Sequence, residues 1–272
     1  MLGSGRVRLR LVHWNILHGA SPARAPGIAL RLLELRPDVV VLTEFRPRVG
    51  GQILGVLADH GLRHQTRSAA DPKRNAVALA SRCPLVPSPP ADAPTQDAPR
   101  WLDATLGTDL GPVHLTGVHI PDVWGTDAAA LARKSRFWHH LLGVCAHRRE
   151  RAHVVLGDFN TARAGQDAPP GAELTSEALM GRLLALGYAD AYRLLHPNGR
   201  DRTWAPPGTS EADWHLAGFR LDHCFVSGVL APLVREARYA ARADGVTGQN
   251  LSDHALMVVE LAARGRDEHE NP

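Results

Sequence analysis

Along the first 45 residues the apolar positions change their spacing twice. Residues 7–14 read V-R-L-R-L-V-H-W, the two-residue alternation of a strand, and the run stops at Asn15. I-A-L-R-L-L-E-L over 28–35 has helical spacing and is stopped by Pro37, after which D-V-V-V-L-T-E-F reads as a buried strand ending near Glu44. The chain thus opens β-α-β. A second helix is predicted over 52–59, a strand over 75–81 after a polar loop, and an irregular proline-rich connection over 84–99. Two apolar runs, 101–106 and 113–120, flank T-D-L-G-P and predict a hairpin. A helix over 126–149 follows, then the strand H-V-V-L-G-D-F-N, which delivers Asp158 and Asn160 at its end. A helix over 176–186 capped by Gly187 precedes two last strands, F-R-L-D-H-C-F-V and A-L-M-V-V-E-L.

Many strands with few, long helices predict two packed sheets with helices outside, in preference to a doubly wound sheet. The pattern fills one domain over 1–262, and the charged residues 263–272 are expected to fray. Several polar residues fall where strands end. A strand end holds a side chain rigidly at a rim, so residues far apart in sequence can converge there.

Composition narrows the class. The 272 residues are 44% hydrophobic, enough for one large core. A net charge of +3 fits a polyanionic substrate but falls short of a protein that coats DNA. Cys83, Cys145 and Cys224 form no C-x-x-C pair and read as small buried hydrophobes, so a reducing compartment is expected. Arginines interrupt the apolar residues of the first segment, which cannot supply a signal-peptide core, and no long apolar run suggests a membrane partner. The expected location is the cytoplasm and the expected state a monomer.

The polar strand ends carry the chemistry. Asn15, Glu44, Asp158 and Asp253 supply hard oxygens of the kind that Mg²⁺ or Mn²⁺ prefers together with water and phosphate. The Asp and His of R-L-D-H and S-D-H supply proton carriers and groups that orient them.

The ordered series W-N, T-E, N-A-V-A-L-A-S-R, G-V-H, G-D-F-N, T-W, R-L-D-H and S-D-H, spread over about residues 8–262, resembles the endonuclease/exonuclease/phosphatase superfamily. That group includes DNase I, exonuclease III-type nucleases, tyrosyl-DNA phosphodiesterase 2, neutral sphingomyelinases and inositol polyphosphate 5-phosphatases. The resemblance implies a four-layered α/β/β/α sandwich and a metal-dependent hydrolase of phosphoric esters. Carried over by position, Asn15 and Glu44 bind the metal with Asp253 assisting, and Asp158 orients or deprotonates the attacking water. Asn160 holds that water or a phosphate oxygen, and His254, positioned by Asp222, contacts the phosphoryl oxygen. His119 is a second contact or the proton donor to the leaving oxygen. Arg46 is expected at a nucleic-acid groove and Trp124 against a base. Leu17 stands where exonuclease III-type members carry Asp, and His119 where they often carry Tyr, which turns the expectation away from abasic-site repair. The favoured substrate is nucleic acid, DNA over RNA. A small or lipid phosphoester is the alternative, and a catalytically inactive binding domain the remote one.

Overall fold

The computed structural model describes residues 7–89, 94–123, 125–172, 174–210, 212–240 and 251–263. Trp124 and the tail beyond Ala263 lie outside the described residues.

Among the described residues, twelve strands make two six-stranded sheets. The first has the order β11-β12-β1-β2-β4-β3, built from β1 (Arg8–Asn15), β2 (Val39–Phe45), β3 (His64–Arg67), β4 (Ala76–Ser81), β11 (Val234–Ala240) and β12 (Leu256–Ala262). The second has the order β5-β6-β7-β8-β10-β9, built from β5 (Leu85–Pro87), β6 (Trp101–Thr108), β7 (Gly111–His119), β8 (His153–Asp158), β9 (Ala189–Asp190) and β10 (Asp222–Val226). Each sheet has one parallel pair, β1/β2 and β7/β8, among antiparallel ones.

The layering follows from the two-residue period of the strands. Leu11, Val39, Val41, Val154 and Leu156 face the core between the sheets. Their neighbours Val12, Val40 and Leu42 turn outward onto α1 (Ala25–Glu34) and α2 (Pro47–Asp59). Val155, with Val118 and Phe225, meets α3 (Ala128–Arg148) and α4 (Glu177–Ala185) through Phe137, Trp138, Leu141, Met180 and Leu183. Both faces of the central strands are buried, so they read as continuous apolar runs. Three apolar layers between four layers of structure form the expected α/β/β/α sandwich.

Two short α-helices, α5 (Ala191–Leu195) and α6 (Trp214–Ala217), follow later in the chain. Cys145 and Cys224 are buried, Cys83 is half-buried, and all three are free. No helix among the described residues is long and apolar enough to cross a membrane.

Parallel pairing sets the site. Asn15 pairs with Thr43 at the common end of β1 and β2, and His119 pairs with Asp158 at that of β7 and β8. Antiparallel β10 starts there, with Asp222 opposite Asp158. Gly157 is required for this approach, because a Cβ there would lie 1.9 Å from the Val118 carbonyl oxygen.

Candidate active site

The end of β2 is shaped to re-aim Glu44. The β2/β4 register shifts between Leu42 and Phe45, and Glu44 has φ 53°. Such a bulge turns a side chain out of the strand's alternation. Five of the seven non-glycine residues with positive φ among the described residues, Leu17, His18, Ala20, Glu44 and Asn160, lie in this region. Left-handed backbone costs a non-glycine residue about 1–2 kcal/mol, least for Asn, so the strain is concentrated at the polar rim.

The segments are tied by groups other than the reactive ones. Ser252 Oγ donates to the Asn15 carbonyl at 2.6 Å and accepts from the His254 N–H at 3.1 Å, fixing S-D-H to the end of β1. Thr203 Oγ1 accepts from the N–H groups of Leu221 and Asp222, and its carbonyl accepts from the Ala255 N–H. The T-W motif therefore joins R-L-D-H to S-D-H.

Asp158 lies at the centre and is almost fully buried. Its Oδ2 accepts from Asn15 Nδ2 at 3.0 Å and faces His119 Nε2 at 3.8 Å and His254 Nε2 at 4.0 Å. The last two distances exceed a hydrogen bond, so neither Nε2 is committed to the carboxylate. Oδ1 accepts from the Asn160 N–H at 2.9 Å, while Asn160 Nδ2 donates to the Ile120 carbonyl. Burial raises the Asp158 pKa, and the charge of Asp222 raises it further.

Asp222 bridges two imidazoles. Its Oδ2 meets His254 Nδ1 at 2.8 Å and its Oδ1 meets His13 Nε2 at 2.9 Å. Burial alone would raise its pKa, but His254's charge and the His13 hydrogen bond hold it well below the usual carboxylate range. Burial would likewise lower His254, and Asp222 reverses this and raises it. His119 goes the other way: burial, then the neighbouring Arg100 charge, pushes it well below the ordinary imidazole value. The pair thus offers one cationic and one neutral ring at neutral pH. His119 Nδ1 is buried without a hydrogen-bond partner.

Asn15 and Glu44 are adjacent, with Nδ2 3.4 Å from Oε1. Asp253 Oδ2 accepts from the Trp204 indole at 3.2 Å, and its Oδ1 is buried without a donor. Arg46 donates through Nε to Asn75 Oδ1 and lines a cavity of about 440 Å³ shared with Lys73, Arg74, Arg100 and Arg133. A second cavity, of about 290 Å³, opens beside Asn160 and is walled by Trp204, Phe219 and Leu221.

Sequence reasoning missed two buried groups. His13 falls on the alternation of Leu11 and Asn15, the face between the sheets, where a buried imidazole must find partners. Lys134 sits on the buried stripe of α3 with Phe137, Trp138, Leu141 and Cys145, and its Nζ donates to the Asn160 carbonyl and to Thr175 Oγ1. Burial brings Lys134 down to about 8.

The sequence pattern of the Endonuclease/Exonuclease/phosphatase family matches residues 12–254. The chain belongs to that family. It is accordingly a hydrolase acting on phosphoester bonds, with the DNase I-like fold. Among solved structures, an AP endonuclease from Archaeoglobus fulgidus is similar at TM-score 0.79 and 20% identity, covering 92% of this chain and 98% of that one. The 3′ phosphatase NExo from Neisseria, in a structure bound to product DNA hairpin, gives 0.77 at 24% identity, with 93% and 99% covered. An endonuclease/exonuclease/phosphatase from Beutenbergia cavernae gives 0.65 at 21% identity, with 96% and 72% covered. No curated protein matches the chain in sequence. At these identities the structures establish the fold alone.

Proposed function

We propose that this family member is a divalent-metal-dependent phosphodiesterase hydrolysing nucleic-acid phosphodiester bonds, DNA in preference to RNA, and acting as a monomer. The observation that carries the reading is Asp158 Oδ2, a carboxylate oxygen faced by Asn15 Nδ2 and by the Nε2 atoms of His119 and His254, with a gap before both rings.

The donor set fits a hard cation. The Asn15 amide and the Glu44 carboxylate are neighbours that each carry an oxygen able to serve as a ligand, and Asp253 Oδ1 is a buried acceptor without a donor. Asp158, Asp222 and His254 also offer atoms within 4.8 Å of one another. Both Asp222 oxygens are already engaged by imidazoles, so that trio reads better as a hydrogen-bonded relay than as an open cage. We assign the cation, Mg²⁺ or Mn²⁺, to Asn15 and Glu44 with Asp253 in support. When bound it supplies positive charge against the phosphoryl oxygens.

The chain's own groups then do the rest. Asp158 orients the attacking water and takes its proton, as the water oxygen bonds to phosphorus and the in-line leaving oxygen departs. Asn160, set by the Asp158 and Ile120 contacts, holds the water or a phosphoryl oxygen. The His254 imidazolium, kept charged and oriented by Asp222, donates to a non-bridging oxygen, where charge stabilisation is worth most. Neutral His119 donates a second hydrogen bond, to the same oxygens or to the leaving one. The cationic cavity around Arg46 supports a polynucleotide as substrate, since arginine forks suit phosphate and successive phosphates need successive cations. Trp124 is assigned to stacking on a base.

The test is chelator-stripped protein, returned to Mg²⁺ or Mn²⁺ and offered DNA, RNA, 5′-tyrosyl DNA, inositol phosphates and sphingomyelin. Cation-restored cleavage of polynucleotide, strongest on DNA, is expected. Full turnover in excess chelator would remove the metal from the account. Turnover of an inositol phosphate or sphingomyelin without polynucleotide cleavage would remove the nuclease.

A further inference from the structure

Residues 17–20 are four successive residues with positive φ, at 50°, 52°, 79° and 63°, and only one is glycine. Such backbone persists where its surroundings over-determine it, and here they do. The Ala20 N–H donates to the carbonyls of Ile16 and Leu17, and Arg24 Nη2 donates to the Leu17 carbonyl at 2.9 Å. Gly19 is pressed against the base of Arg46, where a Cβ would come within 2.3 Å of the Arg46 Cβ.

The first two residues of the strained stretch each grip one of the two neighbouring side chains, Leu17 on Asn15 and His18 on Glu44. The Leu17 N–H donates to Asn15 Oδ1 at 3.1 Å. On Glu44 the hold is double and falls on a single oxygen: Oε2 accepts from the His18 N–H at 2.6 Å and meets His18 Nδ1 at 2.8 Å. Oε1 has only the long 3.4 Å contact from Asn15. The His18 side chain is 63% exposed, so packing does not account for its orientation, whereas the ion-pair contact of its ring with Oε2, beside the N–H hydrogen bond, does. Left-handed backbone at residue 18 is what brings N–H and ring together onto one carboxylate oxygen.

We propose that residues 17–20 form a strap that presets the cation-binding pair, with His18 as a positioning residue that occupies Glu44 Oε2 and leaves Oε1 for the cation. This rests on the assignment of Asn15 and Glu44 as cation ligands. It also accounts for a chain with Leu17 two residues after Asn15: the strap supplies N–H and imidazole donors that order the ligands, where a carboxylate would have added a ligand of its own. Hydrogen bonds that orient a carboxylate ligand typically change metal affinity by about 10–100-fold when lost.

The experiment titrates the full chain with Mn²⁺ alone, following free Mn²⁺ by electron paramagnetic resonance, with thermal unfolding as the check on folding. His18→Leu removes the ring donor, and His18→Gly removes it while relieving the backbone. Both are expected to weaken Mn²⁺ binding by about tenfold. His18→Asn carries an amide nitrogen as many bonds from Cα as Nδ1, on a residue that tolerates left-handed backbone, and is expected to stay within about threefold of the unchanged protein. Glu44→Gln should bind most weakly of all. Unchanged affinity in His18→Leu and His18→Gly, with Glu44→Gln impaired, overturns the strap's role, and so does an Asn variant as weak as the Leu one. Unchanged affinity in Glu44→Gln overturns the ligand assignment itself, and the strap with it.

Discussion

Two buried polar networks lie two residues apart on one segment, and they are satisfied to different degrees. Arg220, fully buried, sends Nε to Asp167 at 2.8 Å, Nη2 and Nη1 to the two oxygens of Asp190 at 2.6 and 3.2 Å, and its face to the Tyr192 ring. Asp190 also caps α5 through the N–H groups of Tyr192 and Arg193. No polar side-chain atom of Arg220, Asp167 or Asp190 is left without a partner, although Arg193 Nε and His223 Nδ1 beside them are buried without one. Around Asp222, by contrast, His119 Nδ1 and Asp253 Oδ1 are buried and unpartnered, and both imidazole Nε2 atoms stand off Asp158. A buried group without a partner costs about 1–3 kcal/mol, so a fold tolerates several in one place where a ligand completes them. The three central groups of the first network are fully paired, as a structural role requires, whereas the second holds the open positions that the proposed reaction needs.

The largest effect expected from breaking this contrast is on turnover. His254→Ala should lower kcat by about two orders of magnitude or more with the fold intact, as for a lost charge-stabilising donor. Asp222→Asn should act largely through His254, so that steady-state kinetics of the double variant show little loss beyond His254→Ala. Losses that multiply would mean Asp222 works elsewhere.

Arg220→Leu should do the reverse and destabilise the protein by about 3–5 kcal/mol, because two buried carboxylates lose their one fully buried counter-charge, Asp167 keeping only the partly exposed Arg163 and Arg193. The pH dependence sharpens this. Burial would raise Asp167 and Asp190, but Arg220 holds both well below the usual carboxylate range. Their folded-state values are depressed, so their contribution is full above the unfolded value near 3.9 and is lost as pH falls below it. In Arg220→Leu the carboxylates are buried without that charge, so the penalty should be greatest at neutral pH and shrink below about pH 4. Denaturant unfolding at pH 3 and 7 measures it, and an equal penalty at both values contradicts the network's role.

Acid should also act through His153. Burial, then Arg148's charge, lowers it to about 3 between Thr116 Oγ1 and the Tyr188 hydroxyl. A depressed imidazole means that the unfolded chain binds the extra proton first, so stability should fall as pH drops from about 6.5 toward 3. The expected loss over that window is a few kcal/mol in denaturant unfolding, and a flat profile would show that His153 is not held neutral.

The sandwich and most of its central strands were legible because strands buried on both faces write long apolar runs. The edges were not. His64–Arg67 forms β3 from the polar sequence H-Q-T-R, held by β4 rather than by a buried face of its own. Val234–Ala240 forms β11, but a register shift after Val234 breaks its alternation. Helix α2 starts at Pro47, five residues before the predicted start, because proline is accommodated in a first helical turn. Within the site, the motif residues Asn15, Glu44, Asp158, Asn160, Asp222 and His254 do converge, together with His119. His13 and Lys134 were readable only by carrying strand and helix periods through polar positions. The left-handed stretch at 17–20 has one glycine in four, too weak a signal to reveal His18 on Glu44.

The measurement that tests the contrast most directly is kcat and Tm of Asp158→Asn, side by side with the unchanged protein. Asp158 is a buried carboxyl whose charged form is opposed by burial and by Asp222, so replacing it with a neutral amide removes a strain that the fold alone has no use for. The account predicts kcat lowered by about two orders of magnitude or more on polynucleotide, with Tm at least as high as in the unchanged protein. Near-normal kcat, or a fall in Tm like that of Arg220→Leu, would contradict it and return Asp158 to the structural network.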